Sequence, residues 1–231
     1  MDRLAALLRA TDDDSAEHVT LRGLTFHMLE GVAPRFYSER GLKPLHLETL
    51  ERCRHVTYGF ETLTDPDRAQ AGVDAWYLRH VKGLPHPPPD RHVFAALLQR
   101  LNDEGNAIYA WLLGELGARC GLDVRLPFRR TDFKTSRLHE AYWLTHLVML
   151  DSDYFARPLR HGDSDTWADA IAELVPWLTR KPNADLAGEV ALCLQFLKRP
   201  EAIAARALID ATPAEGDAHQ QAAVLLGLVG E

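Results

Sequence analysis

The chain has 231 residues, of which 46% are hydrophobic and 26% charged, with a formal charge of −7. This is an ordinary globular composition, long enough to bury one substantial core or two smaller ones. The acidic balance argues against a general nucleic-acid or anionic-membrane surface, and no apolar run reaches the ~18 residues that a membrane-spanning helix needs.

Residues 2–10 read as a short amphipathic helix running into the acidic stretch Asp12–Asp14. They contain no apolar core or cleavage site of a signal peptide. Cys53, Cys120 and Cys193 are far apart and odd in number, which suits a reducing cytoplasm better than a disulfide framework. A cytoplasmic location is therefore expected.

Asp12–Asp14 with Ser15 cap a second helix that runs to about Arg35, with Gly31 and Pro34 loosening its end. A third is expected over 44–63 and a fourth over 66–82. The segment Gly83–Asp90 carries four prolines, which cannot be helical and favour a stiff extended connector. It is read as a surface loop within a single helical domain of 1–231, with division into two subdomains as the alternative. Helices at 90–103 and 106–119 then make a leucine-rich pair.

The clearest helix is expected over 131–156, with Thr131 and Asp132 as candidate caps and no Gly or Pro until Pro158. On it His139, His146 and Asp153 recur every seven residues and would share one face beside Tyr142 and Trp143. Beyond it come helices at 163–180, which Pro176 should kink or end early, then 184–198, 200–210 and 215–229. No segment combines β-branched residues with strict alternation, so the fold class is all-α. The hairpin pairs suggest an array of α/α helical hairpins in a curved stack or partial toroid, with an irregular helical bundle as the alternative.

The run Tyr142-x-Leu144-Thr145-His146, followed by Asp153 and Tyr154, resembles a pattern in an uncharacterised family of bacterial, mostly actinobacterial, all-helical proteins sometimes encoded near biosynthetic genes. The lead-in Leu126–Asp132 and the later Asp185–Glu189 with Cys193 are also similar, so the resemblance covers the C-terminal half. It implies an all-helical fold and no particular reaction, and it adds weight to His146 and Asp153.

Other groupings are weaker. Glu48, Glu51 and His55 share a helix face, but a bundle metal site needs matching ligands from another helix, and an exposed charged face is commoner. His139 and His146 stand too far apart to chelate one ion. The sequence thus assigns no metal site and no cofactor. Arg125, Arg129, Arg130, Lys134 and Arg137 gather near one helix start, where an anion could bind or a solvated basic face could lie. Cys193 reads as a buried small residue, and His86 and His161 as exposed. Signatures such as a phosphate-binding glycine loop or a Cys-x-x-Cys pair are absent.

The leading expectation is a helical protein that binds a small molecule or peptide beside the 131–156 helix. Tyr142, Trp143 and His146 would shape the site, Arg129 and Arg130 would hold an anionic group, and Asp153 would orient His146. One alternative is an enzyme with His146 as general acid or base tuned by Asp153 or Glu189. Another is a structural or protein-interaction module in which the stripe is only core. Oligomeric state is left open, a homo-oligomer included.

Overall fold

The computed structural model describes residues 16–56, 66–160 and 164–211, and every regular element among them is helical. The helices expected at 2–10 and 215–229 lie outside the described residues, as does 57–63 of the third. The elements are α1 (Ala16–Val32), α2 (Pro34–Glu39), α3 (Lys43–Cys53), α4 (Pro66–Val81), α5 (Arg91–Asp103) and α6 (Ala107–Arg119). A single 3-10 turn (Arg130–Phe133) precedes α7 (Arg137–Asp151), α8 (Ser164–Ala172), α9 (Leu174–Arg180), α10 (Ala184–Phe196) and α11 (Ala202–Ala211).

Prolines set several of these boundaries. Pro34 cannot continue α1 and instead occupies the first position of α2, where its missing N–H costs nothing. Pro176 would clash with the carbonyl of Ala172, and α8 ends there, so the helix expected over 163–180 is two helices. Glycine closes others. At the end of α4 the Gly83 N–H donates to the His80 carbonyl and the Leu84 N–H to that of Arg79, with Gly83 in the left-handed region at φ 66°.

The described residues fall into two compact units. One comprises residues 16–24 and those described within 47–140. In it Val19 of α1, Leu50 and Cys53 of α3, and Ala75 and Leu78 of α4 share a buried cluster with Val56. Helix α6 packs on both α4 and α5, and Asp90 caps α5 by accepting from the N–H groups of His92 and Val93. Gly83–Asp90 lies within this unit.

The other unit comprises residues 25–46 and those described within 141–211. Its helices α8, α9, α10 and α11 pack on one another, with α10 against each of the other three. His46 stacks on Phe26 and accepts or donates a 2.8 Å hydrogen bond with the Tyr37 hydroxyl. The Gly31 backbone lies so close to residue 155 that an added Cβ would stand 2.2 Å from the Phe155 carbonyl oxygen. No helix among the described residues is long and apolar enough to cross a membrane.

Candidate functional site

The helix expected over 131–156 is shorter at both ends. Asp132 accepts the Arg129 N–H at 2.6 Å and closes the 3-10 turn, while Ser136 caps α7 by accepting the His139 N–H at 3.1 Å. At the other end the Ser152 hydroxyl donates to the Val148 carbonyl at 2.7 Å and accepts from the Phe155 N–H at 2.9 Å. Asp153, Tyr154 and Phe155 then follow with φ of 50°, 53° and 69°.

Asp153 therefore stands beyond the helix, and the expected alignment of His146 with Asp153 on one continuous face is not formed. The Asp153 carboxylate instead receives Arg157 and Arg160, the latter at 2.9 Å, while its carbonyl accepts from His27 Nε2 at 3.1 Å. His139 is exposed.

What α7 does present is a set of polar side chains facing α10. The Tyr142 hydroxyl donates to Asp185 Oδ2 at 2.9 Å, and one turn on the Thr145 hydroxyl donates to Glu189 Oε2 at 2.6 Å. A further turn along α10, the Cys193 thiol donates to the Thr145 carbonyl at 3.6 Å. Asp185, Glu189 and Cys193 are spaced by four, so they form one stripe down an otherwise apolar helix. Asn183 starts that helix by accepting the Leu186 N–H at 2.9 Å.

Both carboxylates are buried, Asp185 at 9% exposure and Glu189 at 4%. Burying a carboxylate is costly unless hydrogen bonds replace its water, and α7 supplies one such donor to each. At 2.6 Å the Thr145–Glu189 bond lies at the short end of hydroxyl–oxygen hydrogen bonds. Burial first, and then the carboxylates of Asp185 and Glu189, push the Tyr142 phenol far above its ordinary range, so it acts as a donor. Burial, reinforced by Glu189, likewise raises the Cys193 thiol well above its usual range. It is a buried packing group with no thiolate for nucleophilic work.

His146 sits at the edge of this arrangement. Its Nδ1 lies 2.8 Å from the Tyr142 carbonyl oxygen and 3.8 Å from Glu189 Oε2, within ion-pair range when the ring is protonated. A carbonyl can only accept, so Nδ1 carries the proton and the neutral ring has its lone pair on Nε2. His146 is partly accessible, with 13% of its side chain exposed. Trp143, three residues earlier on the same side of α7, is also half-buried.

The remaining candidates are placed as follows. Arg129 is exposed just before the 3-10 turn, and the side chain of Arg130 lies outside the described residues. Of the neighbouring cations, Arg125 pairs with Asp123 at 2.8 Å and Arg137 with Glu140 at 2.7 Å. Helix α3 ends at Cys53, so His55 does not share a helix face with Glu51, which pairs with Arg54. His86 is half-buried rather than exposed, because its carbonyl accepts the Trp76 indole N–H and its ring bonds to the Leu84 carbonyl. His161 lies outside the described residues. No group of three or more His, Cys, Asp or Glu side chains arranged to hold a metal ion occurs among the described residues.

Sequence reasoning named Tyr142, His146 and Glu189 but not the roles of Asp185 and Thr145. The signal that could have found them is the i, i+4 spacing of two carboxylates on an apolar helix, since such acids need buried donors opposite. No protein-family model matches the chain, and no curated protein and no solved structure matches it with significance.

Proposed function

We propose that this chain is a helical binding protein that holds a small molecule or a peptide segment at the His146 edge of α7. The supporting observation is the Nδ1 contact of His146 with the Tyr142 carbonyl at 2.8 Å, which fixes the ring and leaves Nε2 as its hydrogen-bond acceptor when neutral. Trp143 beside it supplies an aromatic surface of the kind ligand sites use. Glu189 at 3.8 Å stabilises the ring when a ligand acid transfers a proton to it. The resemblance of Tyr142–His146 to the bacterial helical family agrees with this placement and adds no substrate.

The same geometry favours one second reading. A histidine fixed at Nδ1, with a carboxylate behind it and Nε2 as the basic nitrogen, is the arrangement of a general base. In that case the protein is an enzyme in which His146 moves a proton and Glu189 stabilises the imidazolium.

A thermal-shift screen of small molecules and peptides against the wild type and His146→Ala separates these readings. Under the binding reading a ligand raises the wild-type melting temperature, and the variant binds it roughly tenfold or more weakly. Retained binding with lost turnover identifies the enzyme. If no compound shifts the wild type and the variant only melts earlier, the stripe is core and the binding reading fails.

A further inference from the structure

The turn after α4 brings two imidazoles together. His80 lies in the last turn of that helix, and the Gly83 turn sends the chain back so that His86 meets it. His86 Nδ1 is 2.7 Å from the Leu84 carbonyl oxygen, so it donates there and the lone pair of the neutral ring is on Nε2. That Nε2 stands 2.9 Å from His80 Nδ1, with the ring planes 80° apart and both residues half-buried. The Trp76 indole N–H holds the His86 carbonyl at 3.2 Å.

We propose that His80 and His86 together bind one divalent first-row transition ion of borderline softness, of the Zn2+, Ni2+ or Cu2+ class. Imidazole nitrogens are the ligands such ions prefer over oxygen donors. The Nδ1–H···O=C bond of His86 is the outer-shell contact that fixes the tautomer and orientation of a metal-ligating histidine. Two nitrogens at ~2.05 Å from a tetrahedral ion stand about 3.3 Å apart, so the pair need open by only a few tenths of an ångström. His80 changes tautomer, moving its proton from Nδ1 to Nε2, so that Nδ1 can face the ion beside His86 Nε2.

The prolines at 85, 87, 88 and 89 fix the backbone around His86, which lowers the entropy lost on binding. No third His, Cys, Asp or Glu groups with the pair among the described residues, and two imidazoles leave positions that water or another small ligand can fill. The site is therefore open and of modest affinity, unlike a closed structural zinc centre.

The test uses the full chain, free of any metal-binding tag, titrated with Zn2+ against a chromophoric chelator and with Cu2+ followed by electron paramagnetic resonance. One ion per chain is expected, with hyperfine structure from two imidazole nitrogens, and with affinity falling as acid protonates the ligands. His80→Ala and His86→Ala should each weaken binding by about tenfold or more, while the control His92→Ala leaves it unchanged. Should either variant fold poorly, carbethoxylation of the wild type is read by mass spectrometry, and Zn2+ is expected to protect His80 and His86 together. Absence of saturable binding, or binding with neither protection nor loss in the variants, overturns the proposal and leaves the pair as a hydrogen-bonded clasp.

Discussion

Thr145 on α7 donates its hydroxyl to the buried Glu189 carboxylate on α10 at 2.6 Å, a contact across 44 positions of sequence. Removing that donor without changing side-chain shape takes a hydrogen bond away from a buried carboxyl group. Thr145→Val should therefore cost about 1–3 kcal/mol of unfolding free energy. The double variant Thr145→Val/Glu189→Leu removes both partners and should lose less than the two single changes summed. Urea denaturation of the four proteins gives the coupling directly, and strict additivity would count against a shared hydrogen bond.

High pH should unfold the protein by way of its buried thiols. Burial raises Cys53 from 9.0 to about 11 and Cys120 from 9.0 to about 12, and raises the Tyr37 phenol from 10.0 to about 12. A raised value means that the folded state holds its proton more tightly than the unfolded chain. The resulting stability is complete below pH 9 and is lost between about pH 9 and pH 12. Each of the two thiols contributes on the order of 3 kcal/mol to that loss. In the native protein at neutral pH, Cys53, Cys120 and Cys193 should all resist a disulfide reagent and react only on denaturation. Rapid reaction of any one of them would show that its burial is wrong.

Gly31→Ala should be among the most damaging single-atom additions. The new Cβ would lie 2.2 Å from the Phe155 carbonyl oxygen, a backbone atom inside a run of three left-handed residues. Overpacking of this kind costs about 1–3 kcal/mol or more. By contrast, Gly41→Ala meets no atom within 4 Å and bears only the strain of its φ of 59°, about 1 kcal/mol. A melting comparison in which the two variants behave alike would refute the close approach.

Helix identity was legible in the sequence because apolar spacing and proline placement carry it. Pro34, Pro66 and Pro176 mark boundaries that the structure keeps. The end of α7 was not legible. Where α4 and α5 stop, Gly83 and Gly105 take the left-handed position, and glycine is the residue a reader expects there. At the end of α7 Asp153 takes it, with its N–H on the Leu150 carbonyl and that of Tyr154 on the Met149 carbonyl. Neither Tyr154 nor Phe155 announces positive φ, and apolar spacing alone continues the helix through Asp153. Glu189 was legible as a candidate neighbour of His146, and the two stand 3.8 Å apart, but which acid faces which helix depends on tertiary packing that spacing alone does not encode.

The His146 ring is fixed by giving its Nδ1–H to the Tyr142 carbonyl. Long-range proton–nitrogen NMR of the imidazoles, with His146 assigned from His146→Gln, reads this most directly. The expected spectrum above the ring's titration shows a protonated Nδ1 and an unprotonated Nε2 for His146, with the Nε2 resonance moving when a ligand binds. A ring protonated on Nε2, or one averaging freely between tautomers, would contradict the account.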